Sequence, residues 1–424
     1  MAIATDSGRS ARGRGRLATG RSRHHAFGFW VAAAAFLVNM GFSGVPTPLY
    51  VLYEQRDHFS TIMLTVVYGV YAVGVVASLF LGGHVSDRVG RKRVFVPALL
   101  VNVFSAVIFL LAPSLPGLLV ARVISGISVG LTTGTATAYL GELYLGKFGG
   151  GAPPAGRFAQ IVATAANLGG IGFGPLVSGL LAQYAPQPLR LPFILFGVVL
   201  FLLAVLVAVC PETALRPDPA PAWRPQRVAV PPHARRTFFA ATSAGVASFA
   251  VYGVFMSLAP SFLAGTLHQS SYALAGAVAF AAFASGAVAQ IALGKGGTRL
   301  MLRVSPFVLI PGMALLIGGM WLPSLTMFVV GGVLTGAGGG LVFRGGLAAA
   351  GAAAPPESRA EVLSGYFLAG YLGLSVPVVG LGIATSFAPA LEVMLIFTVI
   401  VAIAVTTCTR AVLSETRPEA QHTR

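Results

Sequence analysis

The stretch LGGHVSDRVGRKR, residues 81–93, places five charged side chains between two strongly apolar segments, residues 62–81 and 94–112. Each apolar segment has the length of about twenty residues that a helix needs to cross a bilayer. Arginine and lysine beside such segments are retained on the cytoplasmic side of the membrane. The stretch therefore predicts two transmembrane helices joined by a short cytoplasmic loop.

The composition extends this prediction to the whole chain. Of the 424 residues, 56% are hydrophobic and only 9% are charged, whereas soluble domains carry about a quarter charged residues. The apolar runs do not alternate with polar residues, which excludes the strand pattern of a membrane β-barrel. We expect an all-α polytopic membrane protein.

Twelve apolar runs are long enough to span a membrane, and a proline-rich stretch divides them into two sets of six. The predicted spans, numbered 1 to 12, are residues 26–50, 62–83, 94–112, 117–141, 158–184, 190–210, 237–262, 272–294, 305–321, 325–348, 361–384 and 391–412. We expect a disordered basic tail at residues 1–25, six-helix bundles at 26–210 and 237–412, a cytoplasmic linker at 211–236 and a cytoplasmic tail at 413–424.

The basic residues set the orientation that we predict. With the amino terminus inside, 25 of the 28 Lys and Arg residues fall in cytoplasmic segments, and the others are Arg56, Arg122 and Arg190. Because these charges cluster in alternate loops and not along one surface, nucleic acid is not the expected partner despite the net charge of +16. We expect a multi-pass protein of the cell (inner) membrane with both termini cytoplasmic.

The two halves share an internal spacing. Arg157 precedes Pro175 by eighteen residues, and Arg359 precedes Pro377 by the same number. The fifth span of each half is thus expected to begin at a cytoplasmic arginine and to be interrupted by proline near its centre. This spacing favours a duplicated six-helix unit with a binding site between the halves.

The charged loop contains a motif formed by Gly83, Asp87, Arg88, Gly90, Arg91 and Lys92. The motif resembles the loop signature of the major facilitator superfamily of transporters, and the twelve spans and central linker extend the resemblance to nearly the whole chain. The resemblance implies two pseudo-symmetric six-helix bundles. It also implies a gating role, in which Asp87 meets the start of span 11, near residues 362–364, when the cytoplasmic side is closed. The alternative is a basic loop that only sets topology.

Span 4 contains Arg122, which is followed by Gly126 and Gly130 in a pattern similar to the helix-4 motif of that family. An arginine inside a span is costly in free energy and marks a functional site. Arg122 is therefore a candidate for coupling or substrate binding. The alternative is that its side chain snorkels to the near membrane surface.

Span 5 contains Gly170, Gly174, Pro175 and Gly179, which resemble the glycine–proline motif of the drug:proton antiporter branch. The proline removes one helix hydrogen bond, and the glycines allow a neighbouring helix to approach closely. The pattern departs from the motif at Ser178, where a glycine is expected. The resemblance implies export of the substrate.

Four charged residues lie at the cytoplasmic ends of spans, namely Glu142, Arg157, Arg344 and Arg359. The family builds charge clusters from such positions, so the resemblance implies that Glu142 pairs with Arg359 or Arg157. The alternative is a solvated charge at a helix end, where an ion pair contributes little stability.

In the family's fold, helices 1, 4, 7 and 10 line a central cavity, and helices 2, 5, 8 and 11 flank it. Seven polar, aromatic or sulfur-containing residues at mid-depth are therefore candidate substrate contacts: Asn39, Tyr71, Thr133, Asn167, Tyr252, Met256 and Tyr371. Aromatic rings and Met offer adaptable apolar surface, which favours a small, fairly apolar organic substrate. The alternative for each residue is a role in helix packing.

The coupling ion is the least determined feature. All twelve acidic residues lie in loops, tails or span ends, although many proton antiporters carry a carboxylate deep in span 1, 4 or 7. A relay through Asp87, Glu142 or Arg122 and a different mode of coupling both stay open. His and Cys residues show no metal-ligand spacing, so we expect no metal and no cofactor.

Together these features predict a secondary active transporter in the lipid bilayer that exports small organic molecules, with protons as the coupling ion. We expect it to act as a monomer. An uptake permease for a metabolite or a sugar-like compound is the alternative with the same fold. A receptor or a membrane enzyme is disfavoured because the chain offers no converging catalytic groups and no phosphate-binding loop.

Overall fold

The computed structural model describes residues 7–82, 85–148, 153–214, 230–355 and 358–415, and within them all regular secondary structure is helical. The long helices are α1 (Ser7–Gly44), α2 (Thr61–Gly82), α3 (Arg91–Leu111), α4 (Leu115–Phe148), α5 (Pro153–Thr164, continued by the π-helical turn Ala165–Gly169 into Gly170–Tyr184), α6 (Leu191–Val209), α7 (Arg235–Ser257), α8 (Tyr272–Leu293), α9 (Gly297–Trp321), α10 (Leu325–Ala353), α11 (Arg359–Ala384) and α12 (Ala390–Glu415). The predicted all-α fold of twelve long helices is confirmed.

The lengths of these helices match a membrane. Eleven segments among the described residues are long and apolar enough to cross one, and the segment Tyr272–Trp321 has 50 residues. That segment contains both α8 and α9, because the short turn Gly294–Gly296 interrupts it. Each of the two helices alone has the roughly twenty residues of one crossing. The eleven segments thus correspond to the twelve predicted spans.

The first helix begins earlier than the sequence predicts. Residues 1–25 were expected to be disordered, yet α1 starts at Ser7 and runs without interruption to Gly44. Arginine, which occurs six times between Ser7 and His25, is a good helix former, although the four glycines of the same stretch are not. Extending an existing helix is also far cheaper than nucleating a new one, so the apolar span carries the helix back into the basic segment.

The two halves repeat one pattern of helix packing. In the first half α1 packs against α4, α5 and α6, and α3 packs against α4 and α6. In the second half α7 packs against α10, α11 and α12, and α9 packs against α10 and α12. A shift of six helices converts each of these contacts into its counterpart, as expected of a duplicated unit.

The halves meet through two interfaces, one between α2 and α11 and one between α5 and α8. The same shift of six helices converts each of these interfaces into the other. In the first, a Cβ on Gly69 would lie 2.7 Å from Val379. In the second, a Cβ on Gly276 would lie 2.2 Å from the carbonyl oxygen of Pro175. The missing side chains let the helices touch. The short helices Tyr50–Asp57 and Ala259–Gly265 also meet across the halves.

These contacts gather at one end of the bundle. Thr65, in the first turn and a half of α2, lies against Gly382 near the last turn of α11. Gln183, at the end of α5, accepts a hydrogen bond of 3.0 Å from the backbone N–H of Tyr272 at the start of α8. We call this the closed end. The basic end lies opposite, and it carries the charged loop between α2 and α3.

Candidate functional site

A cavity of about 580 Å³ lies between the two halves. Its walls come from α1, α2, α4 and α5 on one side and from α7, α8, α10 and α11 on the other. These are the eight helices that the sequence resemblance implies. A volume of this size is typical of sites for small organic ligands, which occupy about 300–1,000 Å³.

The cavity opens toward the basic end. Lining residues at that end of α5, α10 and α11 are exposed to solvent, among them Gln160, Ala352 and Arg359. Lining residues at the other end of the cavity, including Ser43 and Met256, are buried. In this structure the central cavity is therefore accessible from the basic end only.

Arg122 forms the floor of the cavity. Its side chain is 1% exposed. Its Nη1 donates to the carbonyl oxygen of Ser43 at 2.7 Å, and Nε and Nη2 donate to the carbonyls of Val67 and Tyr68, each at 3.4 Å. The snorkelling alternative is thus wrong, because the guanidinium group turns inward, where backbone carbonyls and not the membrane surface solvate it.

Two tyrosine rings of α2 enclose this guanidinium group. Its central carbon lies 4.6 Å from the centre of the Tyr71 ring and 5.5 Å from that of Tyr68. Such cation–π contacts contribute up to about 2 kcal/mol in desolvated surroundings. The Tyr68 hydroxyl is buried and has no hydrogen-bond partner among the described residues. The floor therefore combines a fixed positive charge with an unused hydroxyl.

Five of the seven predicted substrate contacts line the cavity, and they are Tyr71, Asn167, Tyr252, Met256 and Tyr371. Thr133 is buried beside the cavity and contacts its wall, because its Oγ1 lies 3.4 Å from the Tyr371 hydroxyl across the two halves. The Tyr252 hydroxyl donates to the carbonyl of Gly336 at 2.6 Å, so this tyrosine presents mainly its ring.

Asn39 does not line the cavity, which corrects its prediction as a substrate contact. It is fully buried inside the first half, where its Nδ2 donates to Thr132 at 2.9 Å and its Oδ1 accepts from Asn102 at 2.9 Å. These bonds tie α1 to α4 and α3. A polar residue in a span is satisfied equally well between helices as toward a cavity.

Other cavity residues were missed in the sequence. Gln290 is buried in α8 and lines the cavity, and Phe283 lies on the same helix. An isolated glutamine in an otherwise apolar span is a signal that points to such a position. Phenylalanines such as Phe249 and Phe343 carry no comparable signal, because apolar residues occur on every face of a membrane helix.

The loop motif is tied to the first half by Arg91. The Nη2 of Arg91 donates to Glu142 at 2.8 Å. Its Nη1 donates to Ser86 at 2.8 Å and also pairs with the carboxylate of Asp87. Glu142 also accepts from the Thr213 hydroxyl. The prediction that Glu142 pairs with Arg359 or Arg157 is therefore wrong in this conformation. Arg91 lies closer in the fold and neutralises it.

A second carboxylate caps the start of α3. Glu212 accepts hydrogen bonds from the backbone N–H groups of Arg91 at 2.8 Å and Lys92 at 3.2 Å, which no helix carbonyl can satisfy. Gly90, at φ +116°, lies against Glu212, and a Cβ there would approach the carboxylate to 2.5 Å. The Lys92 ammonium donates to the Cys210 carbonyl at 3.1 Å. Gly90 is thus required for both its backbone angle and its lack of a side chain.

The other residues of the loop motif and of the predicted charge cluster lie apart from these contacts. Arg88 is half-buried in the short helix Val85–Val89, whereas Gly83 lies outside the described residues. Arg344 and Arg359 line the mouth of the cavity, and Arg157 lies close enough to Arg344 for their charges to repel each other. The predicted cluster is therefore a group of arginines without Glu142.

The glycine–proline motif of α5 serves two interfaces. Gly170 and Gly174 face α1, where a Cβ on Gly174 would collide with the carbonyl of Gly41. Pro175 and Gly179 face α8 of the other half. One segment thus packs within its own half and closes the cavity against the opposite half.

A family model described as the major facilitator superfamily matches residues 29–376 of this chain. The chain belongs to the major facilitator superfamily. The family and the fold identify a membrane transporter with a multi-pass architecture.

Known proteins give the same fold at low sequence identity. A bacterial homologue of the human lysosomal transporter Spinster, in an inward-facing and unoccupied conformation, is 16% identical with a TM-score of 0.68, and the match covers 94% of this chain and 99% of that one. The nucleoside transporter NupG is 12% identical with a TM-score of 0.64, covering 92% of this chain and 100% of that one.

Curated relatives match only in part. An arabinose–proton symporter of Bacillus subtilis is 31% identical over 85 residues, 20% of this chain and 17% of the symporter. An uncharacterized transporter of the superfamily from Methanocaldococcus jannaschii is 23% identical over 189 residues, 44% of this chain and 45% of the relative. The chain thus spans less than half the length of either relative.

Proposed function

We propose that this protein is a secondary active transporter that moves small, fairly apolar organic compounds across the membrane by alternating access. The observation that carries the proposal is the cavity of about 580 Å³ between the halves, open at the basic end and closed at the other. Most of its wall consists of aromatic and aliphatic side chains, which suit a compound with an apolar body.

The repeated packing supports alternating access. Two interfaces close one end, α2 with α11 and α5 with α8, and the six-helix shift converts each of them into the other. A rocking motion of one half against the other would open both and would close the basic end around the same site. The orientation that we propose places the basic end and both termini in the cytoplasm, so the present state faces inward.

Asp87 is the residue that we propose as a gate. It is 59% exposed and pairs only with Arg91 of its own loop among the ion pairs of the described residues. An exposed aspartate at the basic end is available to the start of α11 once the halves rock together there. The amino terminus of a helix attracts a carboxylate, so this contact would stabilise the outward-facing state.

Export driven by proton entry is the direction and coupling that we propose, on the basis of the glycine–proline motif of α5. Among its described lining residues the cavity contains no aspartate or glutamate. We propose a relay through acids at the basic end, where Asp87 and Glu142 share Arg91. Protonation of one would leave the arginine paired with the other. We propose that one chain suffices, because the cavity lies within it.

Uptake of an anionic metabolite is the second candidate. It is favoured by Arg122, a buried cation on the cavity floor. Export and uptake differ in the direction of net flux under an imposed gradient, and not in the site itself.

Inside-out vesicles from cells that produce the protein test the proposal. Anionic, neutral and cationic lipophilic compounds are added in turn, and the collapse of an imposed proton gradient is followed together with accumulation of the compound. Accumulation with proton release, absent from control vesicles, is the expected result. Accumulation without proton movement would remove the coupling ion from the proposal, and accumulation of no compound would contradict it.

A further inference from the structure

We infer that the transported compound is an organic anion whose charged group binds Arg122 and whose apolar body lies along the aromatic wall of the cavity. The inference rests on the proposed function, because it takes the cavity as the transport site. It is carried by an imbalance of charge, by unused hydrogen-bond donors and by the chemistry of the wall.

The charge of the cavity is of one sign. Its described lining contains Arg122, Arg344 and Arg359, and it contains no Asp or Glu. The ion pairs among the described residues involve other arginines, so none neutralises these three. Burying a charge without a partner of opposite sign is costly, and an arginine within a span is the extreme case. An anionic ligand would relieve this cost.

Arg122 retains donors for such a ligand. A guanidinium group has five N–H donors, and three of them meet the backbone carbonyls of Ser43, Val67 and Tyr68. Two N–H groups remain, since Nη1 and Nη2 each use one of their two. Both remaining N–H groups belong to one guanidinium group on the cavity floor. Carboxylates and other oxyanions accept such sets in bidentate fashion.

The wall determines the rest of the ligand. Phe249, Phe283, Phe343 and Phe367 line the cavity, and the ring of Tyr252 adds to them because its hydroxyl is already bonded to Gly336. These rings favour an aryl or alkyl body. The phenylalanine rings offer no hydrogen-bond partner to the hydroxyl groups of a sugar.

The arginines at the mouth act before binding. Arg344 and Arg359 lie at the open end, and Arg157 lies nearby. A positive opening with apolar walls concentrates anions and repels cations. The path into the cavity and its floor therefore select the same charge.

Three probes of one shape and different charge test the inference, namely phenylbutyrate, phenylbutanamide and phenylbutylamine. Binding of each to the purified full-length protein in detergent is measured by calorimetry. We expect phenylbutyrate to bind at least tenfold more tightly than the amide and the amine. Because the comparison uses the unaltered protein, it does not depend on the folding of a variant.

Two variants then place the site. Arg122→Gln should weaken phenylbutyrate binding by about a hundredfold, the loss typical when one member of a buried charge pair is removed. Arg190→Gln, which removes an exposed charge at the closed end, should leave binding unchanged. Equal binding of the three probes, a preference for the amide or the amine, or unchanged binding in Arg122→Gln would overturn the inference.

The same probes separate this inference from the proposed function. Phenylbutyrate that binds at Arg122 but does not cross proteoliposomes would refute transport and leave the anion site standing. A neutral or cationic compound that crosses at equal rates with the unaltered protein and with Arg122→Gln would refute the anion site and leave transport standing.

Discussion

The guanidinium carbon of Arg122 lies 4.6 Å from the centre of the Tyr71 ring, at the closed end of a cavity between two six-helix halves. The ring face attracts the positive charge without neutralising it. Arg122 is therefore held in place and keeps its positive charge, as the anion site that we propose requires. The predictions below follow from this arrangement and from the contacts that shape the cavity.

The ring of Tyr71, and not its hydroxyl, should position Arg122. Tyr71→Leu is expected to weaken phenylbutyrate binding by roughly fivefold, because it removes a cation–π contact worth about 1 kcal/mol. Tyr71→Phe retains the ring and should bind nearly as the unaltered protein does. Calorimetry on both variants measures the difference, and equal losses in the two would show that the hydroxyl is what matters.

Asp87 should control transport and not membrane insertion. Asp87→Asn is expected to reduce flux into inside-out vesicles by about tenfold or more, since the neutral amide forms a weaker contact with the helix amino terminus of α11. The amount of protein in the membrane should be unchanged. Arg93→Gln alters an exposed charge of the same loop and serves as the control. Flux in Asp87→Asn equal to that of the unaltered protein would exclude the gate.

The interface of α5 and α8 should tolerate no side chain at Gly276. Gly276→Leu would place atoms against the Pro175 carbonyl, which lies 2.2 Å from an ideal Cβ, and should keep the closed end from closing. We expect the cavity of this variant to face outward. In a protein whose two native cysteines are replaced by serine, the thiol that Gln160→Cys introduces should then react more slowly with a reagent supplied from the basic end.

Gly380→Leu is the matched control for that experiment. Gly380 is an exposed glycine of α11, and no atom lies within 4 Å of an ideal Cβ there. The labelling rate at position 160 in Gly380→Leu should equal the rate in the parent protein. Equal labelling in Gly276→Leu and in the parent would show that the α5–α8 contact does not close the cavity.

Glu212 should stabilise the fold as the cap of α3. Glu212→Ala removes acceptors from two backbone N–H groups and is expected to cost about 1 kcal/mol in the free energy of unfolding. Thermal denaturation in detergent measures the shift in Tm. Glu392→Ala removes an exposed acid from the first turn of α12 and should shift Tm less, so equal shifts would indicate a general charge effect.

Much of the fold was predictable because it depends on long apolar runs. The spans and the charged loop follow from the length of a bilayer crossing and from the cost of placing charges within it. Most of the predicted linker, residues 215–229, lies outside the described residues. The start of α1 is the exception, because the sequence does not predict it. The run that begins as a basic, polar segment at Ser7 continues as helix into the apolar part of α1, and composition alone does not show where such a helix starts.

The site was predictable in its elements and not in its details. The direction in which Asn39 points depends on the rotation of α1, and a span with apolar residues on all faces does not reveal that rotation. The partner of Glu142 depends on how closely the loop at Arg91 approaches α4, 51 residues away along the chain. The sequence singles out Arg122 as a candidate, and only the fold distinguishes a cavity floor from the membrane surface.

The flux of labelled phenylbutyrate across proteoliposomes tests the central claim most directly, because it joins the cavity, its charge and its alternating exposure. The measurement compares the unaltered protein, Arg122→Gln, Arg190→Gln and liposomes without protein. We predict saturable flux with the unaltered protein and with Arg190→Gln, and flux at the level of empty liposomes with Arg122→Gln. Flux in Arg122→Gln equal to that of the unaltered protein would contradict the account.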